Sequence, residues 1–302
     1  MSSAFINRHI TRVRAAGFDS STIDSSWLDT VDGWLTPDDD LRIWCNAAFG
    51  VVKSGSVTSK IANLGATRLP FWGDLTTTTA NTAYDATGIG GLPAWNNSTT
   101  TAQAYFGAAR AGTLRYNMIR RLYRTGCTMV AVYKKSGTGQ VSPIAFGNSA
   151  GIALRNTSGS PGNAQFFVGN FGGPNGFWSV NDTSTGTIAN NAVHIIGGTF
   201  DGPSLVVKVY VEGVAAGSSG TATDYWPLIG GVTSNTIQRH PLVSGSSSST
   251  LNVTATSAND PAITFSNNEA QMTLSDIIMF GTTFSPTRMA SLNSLIRARI
   301  GP

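Results

Sequence analysis

Cleaving a glycosidic bond takes two carboxylates placed either side of it, one protonated and one ionised. The chain has two glutamates, Glu212 and Glu269, and neither sits in a Glu-x-Asp-x-Glu run that would put several acids on one strand face. Glu212 falls in a Glu-Gly turn signal and reads as a solvated turn residue. Asp38, Asp39 and Asp40 follow Pro37 directly, a pattern of turn and helix-stop chemistry. A serine nucleophile needs a base and an orienter in reach. His9, His194 and His240 stand singly, with neither that company nor the spacing of a zinc site. His194 opens an apolar strand and reads as structural. Cys45 and Cys127 read as buried thiols. The glycine-rich strings at 88–91 (GIGG) and 169–176 (GNFGGPNG) lack the Lys and helix start of a phosphate loop, and read as turns. These residue types predict a protein that is not an enzyme.

Binding chemistry is better represented. Aromatic faces stack on sugars, and Trp72, Trp95, Trp178, Tyr225 and Trp226 lie in or beside predicted loops, with Tyr105 nearby. They are candidate glycan contacts, with core anchoring as the alternative. Calcium would need converging oxygen ligands. Asp74, Asp85, Asp201 and Asp260 are loop candidates whose spacing does not assemble them, so calcium has no motif behind it and no cofactor is expected. Net charge is +4, yet residues 1–44 hold seven Asp against four Arg, which makes the remainder more basic. Arg110, Arg115, Arg120, Arg121, Arg124, Lys134 and Lys135 form the densest basic stretch. With no nucleic-acid motif beside it, this stretch reads as a solvated edge, and nucleic acid is not an expected partner.

The elements that must position these residues fall into two kinds. Phe5, Ile6, Ile10 and Val13 recur at helical spacing before Gly17, and Ile23, Trp27, Val31, Trp34 and Leu35 share a second helical face that ends before Pro37. Two short amphipathic helices cannot bury their apolar faces alone. They must pack on the β domain, on a sister subunit or on a larger assembly. Residues 1–36 are therefore expected to form a helical attachment segment, with Phe5, Ile10, Val13, Trp27, Val31 and Trp34 as assembly contacts. Residues 37–302 are expected to form one all-β domain.

From Leu41 on, charged residues are sparse (12% of the whole chain) and Gly, Ser, Thr and Asn separate short apolar runs. That mix predicts many short strands and tight turns. Strands are expected in LRIWCNAA, in VTSKIANL, over 127–133 (CTMVAVY), and at 143–147, 151–155, 164–169, 176–180, 193–200 and 205–212. The 127–133 run is apolar on both faces and so buried on both. Leu205, Val207, Val209 and Val211 alternate with Lys208, Tyr210 and Glu212, as in a half-exposed strand. LTTTTANTAYDATG, AWNNSTTTAQAYFG and SGSSSST (244–250) read as loops. A closing helix is predicted from Ser285 as cap and Pro286 as first residue to Gly301 beyond its end. Met289, Leu292, Leu295 and Ile296 form its apolar face. No run nears the ~20 apolar residues of a membrane helix, and MSSAFINRHITRVRAAG has no signal-peptide character.

Three segments together resemble a laminin-G-like, concanavalin A-like jelly-roll domain of tailed-bacteriophage virion proteins. They are the strand TMVAVYKK, the hairpin VHIIGGTFDG…LVVKVYVEGV, and the closing SDIIMFGTTFSPTRMASLNSLIRARIG, with WLTPDDDLRIWCNAA and VTSKIANLGA as weaker support. The resemblance spans roughly residues 34–302. It implies an antiparallel β-sandwich and a structural protein on the virion surface, as head decoration or as a collar or tail accessory. The expected partners are other virion proteins (capsid, collar or tail) and further copies of this chain. A tail-fibre or receptor-binding adhesin that recognises host-surface glycans is the alternative, with a divergent glycosidase or depolymerase behind it. The protein would be made in the host cytoplasm without a signal peptide.

Overall fold

A computed structural model describes residues 3–68, 73–77, 82–97, 104–106, 125–137, 141–146, 151–157, 161–173, 176–218, 220–221, 243–244, 252–254, 262–264 and 271–302. The helices are α1 (Ala4–Ala15), α2 (Ser25–Trp34), the single turn α3 (Gly65–Arg68) and α4 (Pro286–Ile300). In chain order the strands begin with β1 (Leu41–Asn46), β2 (Val51–Ser54), β3 (Val57–Ile61), β4 (Leu75–Thr77), β5 (Thr82–Ile89), β6 (Leu92–Asn97) and β7 (Ala104–Phe106). There follow β8 (Cys127–Ser136), β9 (Val141–Phe146), β10 (Gly151–Asn156), β11 (Gly162–Gly173), β12 (Gly176–Ile188), β13 (Val193–Asp201) and β14 (Val206–Val211). The last are β15 (Val214–Ala215), β16 (Gly220–Thr221), β17 (Val243–Ser244), β18 (Asn252–Thr254), β19 (Ala262–Thr264) and β20 (Gln271–Phe280).

The fold is an antiparallel β-sandwich with helices near both ends of the chain. The larger sheet runs β15-β14-β13-β8-β20-β6-β5-β3-β4-β7-β17, with β1 also paired to β20. The smaller sheet is β12-β11-β10-β9. Alternation along each strand divides the apolar residues into two cores. Ile43, Cys45, Met129, Ala131, Tyr133, Val207, Val209, Ile277 and Met279 of the larger sheet meet Ile144, Ile152, Leu154, Ala164, Phe166 and Val168 of the smaller one. The opposite face of the larger sheet, with Trp44, Val130, Val132, Ile195, Ile278 and Phe280, lies under α1, α2 and α4. The molecule is thus three layers, helices on sheet on sheet. This explains why β8 is buried on both faces from Cys127 through Tyr133.

The helix signals translate directly. The Ser3 hydroxyl accepts from Ile6 N at 3.2 Å to cap α1, and Gly17 takes φ +79° just past its end. The Asp24 carboxylate caps α2 by accepting from Trp27 N at 3.0 Å, and Ser285 caps α4 ahead of Pro286. One expectation needs correcting. The Thr- and Asn-rich stretches read as loops contain β4 to β7, because β-branched Thr suits a pleated strand even without apolar alternation. On the second face of β14 Tyr210 is buried under α4, while Val206 and Lys208 stay partly exposed, in keeping with a half-exposed strand. The string 244–250 lies outside the described residues apart from Ser244, which ends β17.

Candidate binding surface

Of the described carboxylates considered for chemistry, Glu212, Asp39 and Asp40 are already engaged, and Asp38 is exposed. Glu212, at φ +52° in the β14–β15 turn, pairs with Arg297 of α4 (2.7 Å to Oε1, 2.9 Å between Arg297 Nε and Oε2). It also accepts from Ile195 N at 3.1 Å. The expected solvated turn residue is therefore an anchor that ties α4 to the hairpin. His194 lies beside it and bonds the Ala189 carbonyl through Nε2 at 2.9 Å, a structural role. Asp39 pairs with Arg288 and accepts from Thr36 N at 2.7 Å, while Asp40 pairs with Arg42. With Pro37, Asp38 and Arg68 they border an open cleft of about 440 Å³.

Asp74 holds Arg12 in a bidentate pair at 2.8 and 3.0 Å. Asp85 receives Thr87 N at 2.9 Å, and Asp201 receives the Ser204 hydroxyl. Glu269 and Asp260 lie outside the described residues. Among the described residues no cluster of three or more His, Cys, Asp or Glu could hold a metal ion. The string Gly147-Asn148-Ser149-Ala150-Gly151 spells Gly-x-Ser-x-Gly; its first four residues lie outside the described residues, and Gly151 opens strand β10 and not a helix. A nucleophile elbow instead turns from a strand into a helix. Cys45 and Cys127 are free and fully buried, and burial pushes both thiols up, Cys127 to about 12.

The candidate glycan aromatics separate. Trp95 is fully buried between the sheets and offers no face to a sugar, which corrects the loop reading: Trp95 lies within β6, opposite Leu274 of β20. Trp178 lies in β12 with its backbone opposite Asn170, and Tyr105 lies in β7 opposite Thr76. Trp72, Tyr225 and Trp226 fall outside the described residues, as do Arg110, Arg115, Arg120, Arg121 and Arg124 of the basic stretch. Lys135 of that stretch is no solvated edge. It is buried and donates to the Thr157 carbonyl at 3.1 Å.

The expected assembly contacts also lie inside the chain. Phe5, Val13, Trp27 and Val31 are buried, and Ile10 and Trp34 pack partly buried on the same core. Of the three possible surfaces for these helices, the chain's own β domain is the one they occupy. Polar latches fix them there. His9 bonds the Thr67 hydroxyl (2.8 Å) and the Phe49 carbonyl (3.1 Å). Trp34 Nε1 donates to Ser291 at 2.9 Å, and the Arg288 guanidinium lies 3.5 Å from the Trp34 ring centre.

A group that the sequence pattern did not single out sits on the outward face of the smaller sheet. Inward residues Ile152 and Leu154 of β10 and Ala164, Phe166 and Val168 of β11 leave Arg155, Asn163, Gln165 and Phe167 on the other side. Register sets Arg155 opposite Gln165, and Gln165 opposite Thr183 of β12. The Arg155 guanidinium lies 4.4 Å from the Phe167 ring centre, and Gln165 donates to the Thr183 hydroxyl at 3.1 Å. Arg155 Nε is buried with no hydrogen-bond partner among the described residues, and burial pulls the guanidinium below its ordinary pKa. A single arginine in a strand carries no sequence signal, because its neighbours come from two other strands.

No family model matches the chain, and no curated protein matches it in sequence. Solved structures do share the fold. The binding domain of Paraclostridial mosquitocidal protein 1 aligns over 84% of this chain and 52% of its own length, with TM-score 0.51 and 10% identity. Trypanosoma rangeli sialidase, solved with sialic acid, aligns over 92% of this chain and 39% of its own, with TM-score 0.52 and 14% identity. The binding domain of botulinum neurotoxin DC, solved in complex with SialylT, aligns over 85% and 52%, with TM-score 0.50 and 10% identity. The chain spans about half the length of the toxin binding domains, and at these identities the likeness is one of fold: an antiparallel β-sandwich.

Proposed function

We propose that this chain is a non-enzymatic receptor-binding module on the surface of a tailed-bacteriophage particle, recognising a glycan of the host envelope. The observation that carries the reading is the contrast between its polar groups. Glu212, Asp39 and Asp40, read for catalysis, are held by arginines, whereas the outward face of the smaller sheet presents an arginine, an amide and a hydroxyl in one row. The first group ties elements of the fold together, and the second stands on the face turned away from the inter-sheet core. The β-sandwich is a scaffold that binding proteins use. Two of the structures sharing it are toxin binding domains, one in complex with SialylT, and a third is a sialidase holding sialic acid. The virion setting rests on the resemblance of TMVAVYKK, the 193–214 hairpin and the 275–301 strand and helix to phage virion domains.

Head decoration through residues 1–36 loses its main support, because the apolar faces of that segment are spent on the sheet. The purified chain is expected to bind a subset of glycans on an array of host polysaccharides. It is expected to be present in purified particles at tens of copies or fewer relative to the major capsid protein. Absence of any glycan binding would remove the receptor-binding reading. A copy number matching the capsid lattice would restore decoration.

A further inference from the structure

We propose that the outward face of the four-stranded sheet is an acidic-glycan site in which Arg155 receives a sugar carboxylate and Gln165 and Thr183 read neighbouring hydroxyls. This deepens the glycan-binding reading above and rests on it. Arg155, Gln165 and Thr183 are cross-strand partners on three adjacent strands. With strands about 4.8 Å apart, the row spans about 10 Å, the length of one or two sugar rings. Phe167 is the diagonal neighbour of Arg155, and such pairs lie within reach of a long side chain and a ring. The guanidinium lies over its ring, 4.4 Å from the ring centre. A planar fork of donors held in one orientation matches the two oxygens of a carboxylate.

Charge makes the argument sharper. Arg12, Arg42, Arg288, Arg297 and Arg299 each pair with a carboxylate, but no described carboxylate pairs with Arg155. A partly buried guanidinium loses hydration and costs stability unless an anion compensates it. Among the described residues the protein supplies a stacking ring and no acid. Gln165 and Thr183 bond to each other, which orients them and leaves the amide oxygen and one amide hydrogen to meet sugar hydroxyls. Neutral sugars would use only this second half of the row.

The test uses the full chain and an array bearing neutral, sialylated, uronic-acid and sulfated oligosaccharides, followed by titration of the best acidic ligand and of its carboxyl methyl ester. The proposal expects acidic ligands to lead. It expects the methyl ester to bind at least about tenfold more weakly, Arg155→Ala to show a comparable loss, and Arg155→Lys to fall between. Equal binding of acid and ester, or an unchanged Arg155→Ala, would overturn the carboxylate site while leaving the glycan-binding reading intact. So would binding of neutral glycans alone, or a sulfated ligand binding as tightly as the carboxylate. Failure to bind any glycan would sink both. The ester comparison uses the wild-type chain, so it decides the matter even if Arg155→Ala fails to fold.

Discussion

His9 shows how one buried side chain can set the acid tolerance of the fold. Burial lowers its pKa to about 4, and Nε2–H donates to the Phe49 carbonyl while Nδ1 accepts from Thr67. The folded state therefore holds the ring neutral, whereas the unfolded chain protonates it near 6.5. Stability from this residue is full above pH 6.5 and is lost as pH falls from 6.5 towards 4, by about 3 kcal/mol in all. The gap in melting temperature between pH 7 and pH 4.5 is expected to narrow in His9→Gln. An unchanged gap would place the acid sensitivity elsewhere.

Asp276 makes a parallel case. Buried in β20, it accepts from Trp44 Nε1 (2.8 Å) and Asn46 Nδ2 (2.6 Å), and its Ser275 neighbour donates as well. Asp276→Ala strands those donors and is expected to lower unfolding free energy by about 3 kcal/mol, with Asp276→Asn closer to wild type. Denaturant titration checks both.

At the scale of elements, the adjacent glycines of β13 explain how one strand can be covered on both faces. A Cβ on Gly197 would lie 2.5 Å from Met289 Cε of α4, and one on Gly198 would lie 2.1 Å from the Phe166 ring of β11. Helix and second sheet thus approach the strand from opposite sides at consecutive residues. The two positions differ in tolerance. Met289 Cε is the free end of a flexible side chain, whereas Phe166 is locked in the inter-sheet core. Gly198→Ala is expected to destabilise by about 3 kcal/mol and Gly197→Ala by distinctly less. Equal losses would mean that α4 is as rigid as the core. The hairpin that follows is held by Glu212 and Arg297, so Glu212→Gln should loosen α4 and raise amide exchange at its C-terminal turn.

At the scale of the molecule, the three layers share stability. Removing residues 1–36 would uncover Trp44, Phe49 and Phe280 on the larger sheet. An apolar patch of that kind drives association. The truncated chain is expected to bind a hydrophobic dye, elute as aggregates and melt earlier than the full chain. A monomeric truncation with an unchanged melt would show that the segment is a dispensable foot.

Much of the fold was legible because its signals are local. Ser3, Gly17, Ser285 and Gly301 mark helix ends through contacts within a few residues, and the 127–133 apolar run and the 205–211 alternation mark strands for the same reason. β4 to β7 were hidden because their Thr, Ala and Asn residues pair inside the larger sheet without an apolar pattern to announce them. The engagement of Asp39, Asp74 and Glu212 was equally hidden, since their arginine partners lie far away in sequence, up to the 249 positions between Asp39 and Arg288. By itself the sequence determined an antiparallel sandwich with capped helices near its ends and few acids available for chemistry. Only the tertiary structure decided that residues 1–36 cover their own sheet, that Trp95 is core, and that Arg155, Gln165 and Thr183 stand in one row. The physical reason is that caps and alternation are read within one turn or one strand, whereas burial and cross-strand neighbours depend on segments that meet only when the chain folds.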